Sequence, residues 1–140
     1  MQLFPVKTKY KKYHRRRRQL FQIENNYNYP LKNNAAIKAV SSFRLLSSQI
    51  EASRKVITKY IRKRFKNKLR FCVFPDLPIT KKASGVRMGK GKGNTDYWCL
   101  PIKQGRVLFE INKTIIPRAI IFKAFSLIKY KLPGLTKIVL

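Results

Sequence analysis

The chain has 140 residues, 44% of them hydrophobic, and its 33 lysines and arginines stand against five acids, a formal net charge of +28 at pH 7. This length fits one domain with a modest core, and the hydrophobic content excludes a wholly disordered chain. No apolar run approaches the roughly 18 residues that a membrane-spanning helix requires. The most apolar stretch, residues 115–122, is interrupted by Pro117 and Arg118.

The positive charge indicates a polyanionic partner. A compact monomer of this charge would repel itself strongly, which also disfavours a homo-oligomer. A folded RNA would supply the missing negative charge. A solvated basic surface without a partner is the simpler alternative, but it explains so large an excess of cations poorly. We therefore expect a protein that binds nucleic acid.

The residue types that most enzymes need are scarce. Cys72 and Cys99 are the only cysteines and His14 is the only histidine. Their spacing matches no zinc motif, and the two cysteines are expected to fill the core. A general acid or base must be positioned, and scattered acids form neither a catalytic pair nor a metal-binding cluster. The sequence favours a protein that is not an enzyme and has no metal or other cofactor.

Residues 1–34 are predicted to form a basic arm and linker, and residues 35–140 the folded domain. In the arm, cations alternate with Tyr10 and Tyr13, whose rings can stack on bases while the cations hold phosphates. A cleaved mitochondrial import signal is the alternative, but such signals are amphipathic and rich in serine. The candidate RNA-binding residues of the arm are Lys7, Lys9, Lys11, Lys12, His14, Arg15, Arg16, Arg17 and Arg18.

A first helix is predicted to begin at Ser48, because Ser48 and Glu51 form a capping-box pattern. Apolar residues at helical spacing predict a buried stripe of Ile50, Ile57, Tyr60 and Ile61. The opposite side is basic and is expected to face an anion. Its candidate RNA-binding residues are Arg54, Lys55, Lys59, Arg62 and Lys63.

A strand is predicted over Leu69–Phe74, and Tyr97–Ile102 and Arg106–Ile111 are predicted to form a hairpin. A second helix is expected from Pro117, before an edge strand over Thr136–Leu140. Its predicted buried stripe is Ile120, Ile121, Ala124, Phe125, Ile128 and Leu132. Helices and strands are segregated, so the predicted fold class is α+β: a single domain with one small mixed or antiparallel sheet and two helices.

The second helix is apolar around more of its circumference than one core face requires. We expect an outer patch of Ile116, Ile121, Phe122 and Leu127 that packs against a neighbouring protein. A wider core is the alternative.

The most informative segment is the glycine-rich loop Gly85–Asn94. Its glycines permit unusual backbone conformations and a close approach to a crowded surface, and its cations and N–H groups can bind anions. A nucleotide-binding P-loop is excluded because the pattern G-x-x-x-x-G-K-[ST] has no match in this segment. The composition of the loop does not exclude a plain connector between strands. The candidate RNA-contacting residues of the loop are Arg87, Met88, Gly89, Lys90, Gly91, Lys92, Gly93 and Asn94.

The segment Lys81–Trp98 resembles the signature of the large-subunit ribosomal protein L-sixteen family of bacterial and organellar type. Residues 7–14 are similar to the K-R-T-K-[FY]-x-K-x-H opening of that family. Four shorter motifs follow in the same order and nearly the same spacing: Gln49–Ala52, Phe74–Asp76, Pro78–Thr80 and Lys131–Pro133. The resemblance covers essentially the whole chain.

The resemblance implies an α+β structural constituent of the large ribosomal subunit, bound to rRNA near the peptidyl-transferase centre. It implies that the glycine- and lysine-rich loop reaches toward tRNA in the A and P sites, and that the protein joins late in subunit assembly beside other ribosomal proteins. The chain departs from the family at Arg15–Arg18, where a glycine is usual, and at Arg118, Ala119 and Ile121, where acidic or polar residues are usual.

The composition also bears on localisation. Lysine outnumbers arginine, and isoleucine, asparagine, tyrosine and phenylalanine are abundant, as expected of an AT-rich coding genome. The family-like opening starts within a few residues of Met1, which leaves no room for an import signal, and Asp76–Thr80 resembles mitochondrial members. We expect an organelle-encoded protein of the mitochondrial matrix ribosome; an AT-rich bacterium or a plastid is the alternative.

Overall fold

The structure is a computed structural model that describes residues 3–14, 23–26, 28–61, 69–89 and 91–140. Within these residues the chain forms seven strands and two helices, which confirms the predicted α+β class. In chain order they are β1 (Asn34–Ala39), β2 (Phe43–Leu46), α1 (Ser47–Ile61), β3 (Leu69–Phe71), β4 (Leu77–Lys81), β5 (Asn94–Ile102), β6 (Val107–Asn112), α2 (Arg118–Lys129) and β7 (Thr136–Val139).

The strands form two antiparallel sheets, not the one sheet that was predicted. The first sheet has the strand order β3-β6-β1-β7, and the second has the order β2-β5-β4. The edge strand predicted near the end of the chain is confirmed as β7, which pairs with β1. The two helices pack against each other.

The predicted hairpin of Tyr97–Ile102 with Arg106–Ile111 is wrong, because β5 and β6 lie in different sheets. β5 pairs with β2 and β4, while β6 pairs with β1 and β3. Between them the N–H of Gly105, at φ +91, donates to the carbonyl of Ala39 at 2.9 Å. This turn therefore sends the chain from one sheet to the other. This turn was not predicted from the sequence, because β1 and β2, the strands that pair with β6 and β5, had not been recognised.

Three strands were not predicted. β1 is rich in alanine, which has a low strand propensity, and β2 has only four residues. β4 contains Pro78, which reads as a strand breaker, yet β4 is an edge strand and an edge tolerates a residue without an N–H. β3 is also shorter than predicted and ends at Phe71.

The predicted buried stripes are largely confirmed. Ile50, Ile57 and Ile61 of α1 are buried, but Tyr60 is exposed. Ser53 is buried instead, and its hydroxyl donates to the carbonyl of Gln49 at 2.8 Å. A polar residue can therefore lie on the core face because the helix itself supplies its hydrogen-bond partner. In the stripe predicted for α2, Ile120 is half-buried and the other five residues are buried.

The first helix begins at Ser47, one residue before the predicted start, and its cap differs from the predicted one. The N–H of Leu46 donates to Oε1 of Gln49 at 3.0 Å, so Gln49 does what was predicted for Glu51. The Glu51 carboxylate instead accepts hydrogen bonds from Arg54 at 2.6 and 2.9 Å. Those bonds lower the pKa of Glu51.

The outer apolar patch predicted on the second helix is wrong for two of its four residues. Ile116 and Ile121 are buried in the core, which is therefore wider than one helix face. Phe122 is 54% exposed and Leu127 is half-buried, and Ile115 just before the helix is exposed. Among the helices in the described part of the chain, none has the length and hydropathy needed to cross a membrane.

Candidate nucleic-acid interface

The described part of the arm, residues 3–14, runs without helix or strand. Its candidate residues Lys7, Lys9, Lys11, Lys12 and His14 are all exposed. Tyr10 and Tyr13 meet edge to face with ring centroids 6.2 Å apart, and Nζ of Lys9 lies 5.5 Å from the Tyr10 centroid. The arm thus presents two aromatic rings among exposed cations, a combination that can stack on bases and contact phosphates. The candidates Arg15, Arg16, Arg17 and Arg18 lie outside the described residues.

The glycine- and lysine-rich loop connects the two strands of a hairpin. β4 and β5 pair as far as Lys81 and Asn94, and residues 82–93 form the connection. Asn94, predicted as part of the loop, is therefore the first residue of β5. Gly85, Gly89 and Gly91 have φ values of +85, +97 and +84, which only glycine adopts readily. Candidate Lys90 lies outside the described residues.

Side chains at the end of this loop are open to solvent. Met88 is 100% exposed, and Arg87 and Lys92 are also exposed. Nζ of Lys82 donates to the carbonyl of Gly89 at 2.5 Å, so one lysine is used to hold the loop closed. Arg87 and the glycine backbone of the described part of the loop are accessible to an anion.

The arm and the loop, 80 residues apart in the chain, are joined by hydrogen bonds. Nζ of Lys12 donates to the carbonyl of Lys92 at 2.7 Å, and Nζ of Lys92 donates to the carbonyl of Tyr13 at 2.5 Å. The hydroxyl of Thr95 donates to the carbonyl of Lys11 at 3.3 Å. Residues 7–14 and the described residues 82–89 and 91–93 therefore form one basic surface, called the arm–loop surface below. Sequence reasoning named both segments but had no local signal that they meet.

A cleft of about 570 Å³ lies between the arm and the second sheet. Asp76 is the single acid among the described residues that line it. Sequence reasoning missed the cleft, because only Lys7, Lys9 and His14 among its lining residues were candidates. The other cations that line it are Arg44, Lys103 and Arg106.

The basic face of α1 is only partly available. Lys55 and Lys59 are exposed, but the guanidinium of Arg54 is bound to Glu51. That hydrogen bond also raises the pKa of Arg54. Among the described residues, no hydrogen bond joins these three candidates to the arm or the loop. Arg62 and Lys63 lie outside the described residues.

The first sheet contains a buried carboxylate. Glu110 of β6 accepts a hydrogen bond from the side chain of Asn34 at 3.0 Å, and Arg70 lies 3.6 Å away. The Cys72 thiol donates to the same carboxylate at 3.5 Å. Burial, and then the charge of Glu110, raise the pKa of the Cys72 thiol to about 11. Within the described residues, no three His, Cys, Asp or Glu side chains are grouped to hold a metal ion.

The pKa of Cys72 leads to a prediction about its reactivity. In a Cys99→Ala background, native Cys72 should react with iodoacetamide at pH 8 about a hundredfold more slowly than in the urea-unfolded chain, because the thiolate is the nucleophile. Glu110→Gln should speed the native reaction, because removing the negative charge lowers the pKa of the thiol. Equal rates for native and unfolded protein would contradict this account.

Gly93 is required for a different reason from Gly91. A methyl group added at Gly93 would overlap the backbone carbonyl of Lys81 at the mouth of the hairpin, whereas one added at Gly91 would meet open space. Gly93→Asn should therefore destabilise the protein by about 1–3 kcal/mol through overpacking. Gly91→Asn should cost much less, since asparagine tolerates positive φ. Urea unfolding of the two variants makes the comparison; equal losses would refute the steric account.

Comparison with known proteins gives a consistent result. A family model described as "Ribosomal protein L16p/L10e" matches residues 5–139. The chain is 42% identical to "Large ribosomal subunit protein uL16" of Blochmanniella pennsylvanica, over 99% of this chain and 98% of the relative. It is 42% identical to "Large ribosomal subunit protein uL16c" of Oedogonium cardiacum, over 97% and 95%, and 41% identical to that of Porphyra purpurea, over 98% and 94%.

Proposed function

The chain belongs to the ribosomal protein L16p/L10e family, and from this premise we propose that it is a structural constituent of the large ribosomal subunit. It binds large-subunit rRNA near the peptidyl-transferase and A-site region, supports the positioning of tRNA in the A and P sites, and acts in late subunit assembly. The observation that carries the proposal is the arm–loop surface, in which two basic segments are hydrogen-bonded together.

The chemistry of this surface fits RNA. Exposed lysines can contact phosphates, the rings of Tyr10 and Tyr13 can stack on unpaired bases, and the glycine backbone allows close approach. The loop extends beyond the last residue pair of the β4–β5 hairpin. It can therefore enter a gap between RNA segments while the two strands hold its two ends in place. The proposed role is to position RNA and tRNA, and it requires no catalytic residue.

A protein neighbour is proposed at the outer side of α2, within residues 117–132. The exposed ring of Phe122 and the nearby Ile115 form the apolar contact there. The net charge of +28 opposes self-association, so this neighbour is another ribosomal protein and not a second copy. Crosslinking from position 122 in assembled particles tests this; a crosslink only to rRNA would contradict it.

The ribosome concerned is proposed to be the mitochondrial matrix ribosome. Support comes from the amino-acid composition, which is typical of an AT-rich coding genome, and from the resemblance of Asp76–Thr80 to mitochondrial members of the family. The relatives named above include a bacterial protein and algal uL16c proteins. Mass spectrometry of large subunits purified from separated mitochondria and plastids tests this, and recovery from plastid subunits only would contradict it.

Co-sedimentation tests the main proposal. The full chain should travel with large subunits through a sucrose gradient at moderate salt, and its affinity for rRNA should fall steeply as salt rises. The logarithm of the binding constant should fall by about 0.7–0.9 of a unit, per tenfold rise in salt, for each phosphate contacted. Failure to co-sediment, or an affinity that barely changes with salt, would refute the proposal.

A further inference from the structure

The cleft between the arm and the second sheet has a defined floor. In the antiparallel register Arg44 lies opposite Pro101, and Leu77 lies opposite Cys99. Opposite residues share a face of the sheet, as do residues two apart in one strand. Leu77 and Pro101 therefore provide an apolar floor with the Arg44 cation beside it, and the arm residues Lys7, Lys9 and Tyr13 complete the walls.

The charged side chains in this cleft differ in whether they already have an ionic partner. Arg106 is held at 3.4 Å by the Glu24 carboxylate and donates to the carbonyl of Cys72. Lys7, Lys9, Arg44 and Lys103 supply the other positive charge. Asp76 is exposed in the same cleft, and among the described residues it forms no ion pair with any of them. The cleft thus offers an anion site, an apolar and aromatic surface, and one separate hydrogen-bond acceptor.

These three features select the kind of ligand. At about 570 Å³ the cleft falls within the size of small-ligand sites, which measure roughly 300–1,000 Å³. A double helix could offer this space only its phosphates, which would use neither the apolar floor nor Asp76. An unpaired nucleotide has a phosphate for the cations, a planar base for the ring and the floor, and base N–H groups for a carboxylate.

We propose that the cleft accepts a single unpaired nucleotide of the bound RNA. Its base lies against the Tyr13 ring and the floor, its phosphate contacts Lys7 or Lys9, and an amino group of the base donates to Asp76. A carboxylate accepts from the exocyclic amino group of cytosine, whereas uracil presents a carbonyl acceptor at the same position, which a carboxylate repels. The proposal rests on the RNA-binding function proposed above and adds a nucleotide preference to it.

The test measures binding of the full chain to short single-stranded RNAs of cytidine or uridine at moderate salt. Unchanged protein should prefer cytidine by roughly five- to tenfold. Asp76→Asn should lose most of that preference. The matched control is Asp96→Asn, which removes the same charge from an exposed acid outside the cleft and should keep the preference. If the cleft were only a basic surface, both variants would bind the two RNAs more tightly and to the same extent, which would overturn the proposal.

A second pair of variants tests the stacking contact. Tyr13→Leu should weaken binding of single-stranded RNA by roughly fivefold or more and leave binding of double-stranded RNA unchanged. Tyr130→Leu, at an exposed tyrosine outside the cleft lining, should have little effect. The Tyr13 carbonyl that holds Lys92 is retained in the variant, so the arm–loop surface stays intact. Equal effects of the two variants would overturn the proposal.

Co-sedimentation distinguishes a failure of the nucleotide-site proposal from a failure of the proposed ribosomal role. If the full chain travels with large subunits but the cleft variants behave like their controls, the nucleotide site is refuted and the ribosomal role stands. If the full chain does not travel with large subunits, the ribosomal role itself fails. Because Tyr13 and Asp76 are exposed, unchanged urea unfolding should confirm that the variants are folded.

Discussion

Replacing Arg87 and Lys92 together with alanine is expected to leave the domain folded and to impair late assembly of the large subunit or tRNA accommodation on it. Both side chains are exposed, so no core contact is lost. The change removes two cations from the loop and also the hydrogen bond from Lys92 to the carbonyl of Tyr13, which loosens the arm. In binding to rRNA, the salt slope should fall by about two units if both contact phosphates.

The matched control is a double replacement of Lys32 and Lys137 with alanine. These lysines are also exposed, and the net charge changes by the same amount, but they lie just before β1 and on β7. Ribosomes that carry each pair are compared in subunit assembly, tRNA accommodation and peptide-bond formation. Normal rates for Arg87→Ala/Lys92→Ala, or equal defects for both pairs, would mean that the loop is only a connector.

Replacing Phe109 with alanine should destabilise the protein by about 3–5 kcal/mol, because it empties a large volume in the core. Phe109 lies in β6, is fully buried, and meets Phe71 edge to face with ring centroids 5.5 Å apart. A loss of this size is a large share of the ~5–15 kcal/mol that stabilises a typical domain.

Phe122→Ala is the control for the same change of side chain at the surface, since Phe122 is exposed on α2. Its cost should stay within about 0.5 kcal/mol in the free protein. Urea unfolding followed by circular dichroism compares the two variants. Equal losses would show that β6 does not form the centre of the core.

The elements that were predicted best from the sequence are long segments in which a hydrophobic pattern repeats several times. The α2 stripe was readable because Ile121, Ala124, Phe125 and Ile128 repeat at helical spacing over about two turns. β2 offers only four residues and β1 only six, too few for alternation to stand out. Missing them led to the wrong hairpin, because β5 and β6 are adjacent in the chain and their partners β1 and β2 had not been recognised.

The residues of the candidate interface were predictable from the sequence, but the contact between the arm and the loop was not. Charge and glycine spacing identified the arm and the loop as separate segments. The bonds between Lys12, Tyr13 and Lys92 depend on tertiary geometry, and nothing near any of the three residues signals them. The same is true of Asp76, whose proposed role depends on the cations that the fold brings near it from β2, from the turn between β5 and β6, and from the arm.

The position of β1 in the first sheet has a consequence for synthesis. β1 ends at Ala39, yet both strands that pair with it come much later: β6 begins at Val107 and β7 at Thr136. During translation β1 therefore emerges with two unpaired edges and stays so while most of the chain is made. Such long-range pairing slows folding and leaves strand edges open to wrong partners. The helices can begin to form as they emerge, but the first sheet can be completed only after β7 has been synthesised.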